Sequence, residues 1–389
     1  MKIFFDYAST TPIMKEVAEL MYKHMLSSDE YANPSSTHWH GQIASKLINK
    51  SRETLKSVFN SNQGDFYFTS GATESNNIAI QGLASSYVNL KGHIITTSIE
   101  HKSILNVCQN LQRKGIKVSY VKPDKNGIIQ LSEIIKEIND ETFLVSIGHI
   151  NNEIGSIQNI MELSDLCKKK DLFFHVDAAQ SAGKFNLNLS NLTVDLLSIS
   201  SHKFYGPKGV GALYVSDRAM KKIHPLFYGG EQENRLRPGT LATHQIIGMA
   251  KALEICTQKY SSSITYIRKL QEQFFSEIKS LKAVKLNGDS ELSYPGIVNI
   301  SVLGVKNTDL MKLLSQFSFS LGSACNSSSR APSHVLKSLR LNDEEITSSI
   351  RLSFGIYTTS NEISLFTSSL KDAVKKLRLQ SPSWRIMQL

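Results

Sequence analysis

Between about residues 64 and 215, short runs of β-branched and aromatic residues alternate with stretches whose apolar positions recur every three or four residues. The runs are Asp65-Phe-Tyr-Phe-Thr69, His93-Ile-Ile-Thr-Thr97, Phe143-Leu-Val-Ser-Ile147, Leu172-Phe-Phe-His-Val176 and Leu196-Leu-Ser-Ile199. This alternation predicts an α/β fold with a mainly parallel sheet covered by helices on both faces. The pattern changes near Thr257-Gln-Lys-Tyr-Ser-Ser-Ser263. After it, Ile264, Ile267, Leu270, Phe274, Ile278 and Leu281 mark one face of a long helix. Ile297-Val-Asn-Ile-Ser-Val302 reads as a strand and Glu362 to Leu379 as a terminal helix, so the second part is expected to be a smaller α+β domain. Neither an internal repeat nor a low-complexity tract interrupts the chain.

Composition narrows the class. The 389 residues are 41% apolar, enough for a large core, and no run approaches the roughly 18 apolar residues of a membrane span. An acid at Asp6 follows the start closely, so the expectation is a soluble, cytoplasmic protein without a membrane association. The net charge of +10 raises the question of nucleic acid. The lysines are dispersed, however, and the densest cluster, Lys168-Lys-Lys170, closes a predicted helix where cations are ordinary, so no direct nucleic-acid contact is expected.

Lys203, in Ser198-Ile-Ser-Ser-His-Lys-Phe-Tyr-Gly-Pro-Lys-Gly209, carries the strongest chemical signal. It sits where one predicted strand runs into a glycine-rich loop before another, Gly211-Ala-Leu-Tyr-Val215. Sites in α/β proteins gather at such strand ends. With His202, Ser200 and Ser201 around it, this lysine has what a Schiff-base lysine needs, including a phosphate anchor for pyridoxal phosphate; the alternative is a surface lysine on a loop. Ser70-Gly-Ala-Thr-Glu-Ser-Asn76 follows a strand and opens a helix, placing N–H groups and the Thr73 hydroxyl to meet an anion, or else forming an ordinary capped turn. Asp177, ending the His175-Val-Asp177 strand, reads either as a partner for a pyridine nitrogen or as a helix cap. Gln180 follows it by one turn and would reach a ring oxygen. His101, in Ser98-Ile-Glu-His-Lys-Ser103, would stack on a flat cofactor and exchange protons, or serve structure alone. Asn152 and Arg351 are candidates for clamping a carboxylate, and Arg351 lies in the second domain, which predicts a cleft between domains.

The four cysteines show no zinc or disulfide spacing. Cys108, Cys167 and Cys256 each share a helical face with leucines and are expected to pack in cores. Cys325 differs, because Leu321-Gly-Ser-Ala-Cys-Asn-Ser-Ser-Ser329 has no core-facing period and suits a reactive thiol on a loop.

With these segments in order, the chain resembles the cysteine desulfurases of the IscS/NifS type, in the class V aminotransferase branch of fold type I pyridoxal phosphate enzymes. The resemblance rests on Asp6-Tyr-Ala-Ser-Thr-Thr-Pro12, Asn33-Pro-Ser-Ser36, Thr69 to Ser75, Glu100-His-Lys102, Asn151-Asn-Glu-Ile-Gly155, His175-Val-Asp177, Ser201 to Gly209, Arg237-Pro-Gly-Thr-Leu241, Gly322-Ser-Ala-Cys325 and Ser349-Ile-Arg351. It implies an N-terminal segment (1–14) joining the small domain, a large cofactor domain (15–256) and a small C-terminal domain (257–389) carrying a catalytic loop at about 320–334. It further implies that Lys203 holds pyridoxal 5'-phosphate, that Asp177 and Gln180 tune its ring, and that His101 stacks on it. Ala72, Thr73, Ser200 and His202 would hold the phosphate, with Thr240 reaching in from a second subunit of a homodimer. Asn152 and Arg351 would orient L-cysteine, Lys203 would serve as base, and Cys325 would take the sulfur as a persulfide, leaving L-alanine. Implied acceptors are an iron–sulfur scaffold or a tRNA-thiolation relay. Pro238, Ser201 and Asn326 depart from residues common in the family without touching this chemistry. A transaminase needs no thiol such as Cys325, and a non-enzymatic sulfur-carrier adaptor needs neither Lys203 nor Asp177. A selenocysteine lyase shares all of these features and is separated by its substrate.

Overall fold

The computed structural model describes residues 2–88, 91–321, 332–380 and 384. After a short N-terminal strand, β1 (Ile3–Phe4), seven strands form one sheet: β2 (Asp65–Thr69), β3 (His93–Thr97), β4 (Lys117–Val121), β5 (Thr142–Gly148), β6 (Phe173–Asp177), β7 (Leu196–Ser200) and β8 (Gly211–Val215). Their spatial order is β2-β8-β7-β6-β5-β3-β4. Only β8 runs against its neighbours, pairing antiparallel with β2 and β7, so the sheet is mainly parallel as expected.

Period-two alternation along these strands builds two cores at once. Phe66, Phe68, Ile95, Val145, Ile147, Phe174, Val176, Leu197 and Ile199 point to one face, where the helices Trp39–Val58 and Thr243–Gln258 pack. Their sequence neighbours Tyr67, Ile94, Leu144, Phe173 and Leu196 point to the other, against the helix Lys102–Arg113 through Ile104, Cys108 and Leu111. Both faces are covered, which is why the strands read as continuous apolar runs. Cys108, Cys167 and Cys256 lie in these cores, and burial pushes each thiol up to about 12. These three are packing residues, as their helical spacing predicts.

A second, four-stranded antiparallel sheet has the order β12-β13-β10-β9, from β9 (Val284–Leu286), β10 (Ile297–Val302), β12 (Ser320–Leu321) and β13 (Ser349–Ser353); β11 (Phe317–Ser318) pairs in parallel with β1. The helices Tyr260–Ile278 and Ser360–Gln380 lie against each other in this part of the molecule and bury Ile267, Leu270, Phe274, Phe366 and Leu370 in a third core. Phe5 belongs to that core, with its ring 5.4 Å from Phe366 and 5.8 Å from Phe354. We propose a domain boundary near residue 257, between the two helices that feed different cores. Val335, Leu336 and Ile346, later in the chain, pack back on the first core and tie the two parts together.

Phe5 makes the anchoring of the N-terminus testable. Phe5→Ala should cost about 3–5 kcal/mol of cavity and transfer energy. The readout is a lower urea midpoint for the C-terminal core; an unchanged midpoint would show that β1 is not an integral part of it.

Candidate active site

The C-terminal ends of the parallel strands meet at one edge of the large sheet, where register sets Gly148 beside Asp177, Asp177 beside Ser198, and Ser200 beside Gly211. A cavity of about 700 Å³ opens there. Its walls include Ala72, Thr73, His101, Asn152, Asp177, Gln180, Ser200, His202, Lys203 and Arg351, so nine of the segments' candidate positions converge with the second-domain arginine on one space. Thr240 is exposed and lies outside this cavity. Cys325 lies outside the described residues.

Lys203 closes a short 3-10 turn, Ser201–Lys203, that continues directly from β7. Its Nζ donates to the backbone carbonyls of Ala8 and Ser9, both at 2.7 Å, and neither acceptor carries a charge. Burial, then the nearby Arg351 guanidinium, lowers this amine to about 8 despite Asp6 and Asp177. A neutral, nucleophilic amine is therefore accessible close to physiological pH.

Asp177 ends β6 and is buried. Its Oδ1 accepts from Ala179 N at 2.9 Å, closing a turn where the sequence offers a helix cap but no helix follows, while Oδ2 accepts from Asn76 Nδ2 at 2.8 Å. Asn76 also donates to Ser103 Oγ, which meets His101 Nδ1 at 2.8 Å. One polar chain thus runs from Asp177 to His101, holding both at fixed places in the wall. His101 caps the helix Lys102–Arg113 by accepting from Ser103 N, so its capping and cavity roles coexist. Desolvation, outweighing Asp177, holds His101 below its ordinary value, and the same effect takes His202 to about 4. His202 is fixed by Thr10 Oγ1 at 3.1 Å and gives its carbonyl to Thr11 N–H and hydroxyl.

Gly71, Ala72 and Thr73 open the helix Ala72–Asn77, and Gly71 has φ +148°. A Cβ there would meet Ser200 Oγ at 3.3 Å, inside the cavity's floor, so glycine keeps backbone N–H groups approachable from within. Beside this turn, Glu74 accepts from Ser70 N and pairs with Arg237 Nε at 2.8 Å; burial opposes its charge, yet Arg237 and Ser70 hold it below the usual carboxylate range.

Arg351, on β13, reaches across from the second sheet. Its Nη2 donates to Asp6 Oδ1 at 2.7 Å and Ser320 Oγ at 2.9 Å, and Nη1 donates to the Asn152 backbone carbonyl at 2.8 Å. Its buried Nε has no hydrogen-bond partner among the described residues. A buried cation with an unspent donor is suited to a carboxylate. Asn152 therefore contributes its carbonyl to placing this arginine. Glu100, from the Glu100-His-Lys102 segment, accepts from Thr97 Oγ1 and Gly148 N, and burial raises it to about 7. No cluster of three or more potential metal ligands occurs among the described residues.

The cavity wall offers an amine, a carboxylate, an approachable turn of N–H groups and a buried guanidinium, the set of groups that a phosphorylated pyridine aldehyde and an amino acid require together. Asp6, Asn76, Ser103 and Ser320 were not foreseen as parts of it. For Asn76 and Ser103 a signal exists, since Thr73 and Asn76 share a helical face and Ser103 stands two residues from His101.

The chain matches the family described as Aminotransferase class-V over residues 3–366. It is 43% identical over 388 residues to a protein of Colwellia psychrerythraea named cysteine desulfurase IscS, with 99% of this chain and 96% of that one covered. Among solved structures, a NifS-like protein aligns with a TM-score of 0.90 and 34% identity, covering 97% of this chain and 100% of its own. SspA in complex with cysteine aligns with a TM-score of 0.82 and 36% identity, covering 92% and 100%.

The lowered basicity of Lys203 has a direct chemical readout in the protein without any small molecule bound. At pH 8 about half of the Lys203 amine is neutral, against well under about 1% for an ordinary lysine. Cyanate should therefore carbamoylate Lys203 ahead of exposed Lys15, as followed by peptide mass spectrometry, and equal or slower labelling would contradict the lowered basicity.

Proposed function

The chain belongs to the class V aminotransferase family, among its cysteine desulfurases, and from that premise we propose how its own residues divide the work of taking sulfur from L-cysteine. The cofactor of such enzymes is pyridoxal 5'-phosphate. Lys203 would hold it covalently, Asp177 would face its ring nitrogen, Gln180 its ring oxygen and His101 its flat face, while Ala72, Thr73, Ser200 and His202 would take the phosphate. When bound, this group supplies an electron sink for charge developing at the substrate Cα. The observation that carries the reading is the meeting of a weakly basic Lys203 and a buried, partly unpaired Arg351 on one cavity.

Arg351, steadied by Asp6, Ser320 and the Asn152 carbonyl, would grip the substrate carboxylate on the cavity that Lys203 also lines. The free Lys203 amine would accept the Cα proton and later give it back, and its lowered basicity keeps it available for that transfer. Neutral His202 and His101 place no positive charge beside it. Cys325 would then attack the substrate sulfur as thiolate. The Cβ–S bond breaks and an S–S bond forms, Cβ gains a proton, and the products are L-alanine and a Cys325 persulfide. The carbon skeleton is reduced as the sulfur is oxidised, so no outside oxidant enters.

A homodimer with Thr240 completing the partner's phosphate site is part of this reading. Supporting it, Thr240 is exposed, Phe227 and Tyr228 nearby are 60% and 90% exposed, and the preceding turn is pinned from below by the Arg52–Glu233 ion pair at 2.7 Å. The proposed acceptors of the persulfide sulfur are an iron–sulfur scaffold or a tRNA-thiolation relay, in the cytoplasm; no helix among the described residues is long and apolar enough to cross a membrane.

Cys325→Ala tests the division of labour. The variant should bind the cofactor with unchanged visible absorbance and lose alanine formation from L-cysteine by at least about a hundredfold, because only the nucleophile is removed. Turnover at the level of the unaltered enzyme would remove Cys325 from the mechanism.

A further inference from the structure

A second lysine stands behind the first. Lys184 follows Gln180 by four residues in the turn after β6, and its Nζ donates to Gln180 Oε1 at 3.1 Å. The other side of the same amide, Gln180 Nε2, donates to the Ala8 carbonyl at 2.7 Å, the oxygen that also receives Lys203 Nζ. The order Lys184, Gln180, Ala8, Lys203 is therefore a continuous hydrogen-bonded row.

Its direction is fixed by chemistry. An ammonium has donors and no acceptor, whereas a backbone carbonyl accepts and never donates. Between these two ends the Gln180 amide has one orientation that satisfies both, with oxygen toward Lys184 and nitrogen toward the Ala8 carbonyl. The flipped amide would face Lys184 with N–H groups and Ala8 with a second oxygen; the Ala8 contact would be repulsive at any pH, and the Lys184 contact whenever the amine is charged.

Lys184 is otherwise unusual. It makes no ion pair with a carboxylate among the described residues, and its Nζ lies 5.4 Å from the centre of the Tyr294 ring. It borders a small cavity of about 30 Å³ with Tyr205, Cys256, Lys259, Tyr260 and Tyr294, so the titratable groups around it are two further lysines, Lys203 and Lys259, the His202 imidazole, three phenols and a thiol. Desolvation, then Lys203, lowers it to about 7. A charged amine placed here without a counterion is costly. Among the described residues, the Gln180 oxygen is its side-chain hydrogen-bond acceptor.

We propose that Lys184 is a positioning residue, which locks the Gln180 amide so that it presents only N–H donors to the Ala8 carbonyl and to the cofactor's ring oxygen. The inference rests on the reading of Gln180 as the residue facing that oxygen. A donor held against the ring oxygen stabilises its negative charge and makes the linkage between Lys203 and the cofactor easier to deprotonate. Loss of the lock therefore moves that deprotonation to higher pH.

The test is a pH titration of the visible absorbance of the full-length holoenzyme between pH 6 and 10. Lys184→Met should raise the midpoint by about half to one pH unit, and Lys184→Arg, which keeps a cation that only donates, should bring it back toward the original value. Gln180→Leu should raise the midpoint too, and adding Lys184→Met to Gln180→Leu should shift it no further, because Lys184 acts through Gln180. Lys184→Gln fills the site with a side chain of either polarity and serves as a second variant if methionine is not tolerated; it should also raise the midpoint. An unmoved midpoint in the Lys184 variants, with a shift in Gln180→Leu, would overturn the role of Lys184 alone. A Lys184→Met shift of equal size in the Gln180→Leu background would also overturn it. A Gln180→Leu midpoint identical to the original would overturn the reading of Gln180 and this inference with it.

Discussion

The site depends on a short segment, Asp6 to Thr11, which turns at Tyr7–Ser9 with Ser9 N donating to the Asp6 carbonyl at 3.0 Å and lies between the two sheets. Its backbone carbonyls at Ala8 and Ser9 hold the Lys203 amine, its Asp6 carboxylate holds Arg351, and its Thr10 and Thr11 hydroxyls hold His202 and its carbonyl. The amine and the guanidinium come from different sheets, and this segment is the physical link that sets one against the other. It is itself fixed at both ends. Phe5 is locked among the rings of the third core, and Met14 is buried in the first. A neutral carbonyl is also the right partner for Lys203, since a carboxylate in the same place would hold the amine charged and unreactive.

Burial supplies the rest of the chemistry. His175, under Asp177 on the same strand face, is fully enclosed between Ser146 Oγ at 2.8 Å and Ser198 Oγ at 3.0 Å, and desolvation takes it to about 4. It forms a neutral polar floor beneath the carboxylate, satisfied on both ring nitrogens by hydroxyls of adjacent strands. The histidines around Lys203 are likewise driven neutral, and three charged groups of the wall have specific partners: Asp177 with Asn76, Arg351 with Asp6 and Glu74 with Arg237. Ions retained at a buried site need such partners to offset their desolvation.

Much of this was legible in the sequence, for a physical reason. Strands covered on both faces must be apolar throughout, so Phe173 to Val176 and Leu196 to Ile199 announce themselves, and residues at their ends fall at one sheet edge by geometry alone. The edge strand β4, Lys117–Val121, was not foreseen because one of its sides faces solvent and its residues Lys117, Ser119 and Tyr120 dilute the apolar run. The bridging role of Asp6 was equally hidden. Its partner Arg351 lies 345 positions away, and no local period connects them. The Gln180 to Lys184 spacing was visible as four residues, but the segment is a turn and not a helix, so only the structure aligns the two side chains. Thr240, exposed and outside its own chain's cavity, takes its meaning from the resemblance and not from any contact within the chain.

The central claim is that one particular lysine, chosen by its place in this frame, forms the bond to the cofactor. Lys184 stands one glutamine away and is also weakly basic, so the choice is a real one. Borohydride reduction of the holoenzyme followed by peptide mass spectrometry reads the outcome directly. The account predicts the pyridoxyl group on the peptide carrying Lys203 and on no other, and its recovery on the peptide carrying Lys184, with Lys203 unmodified, would contradict it.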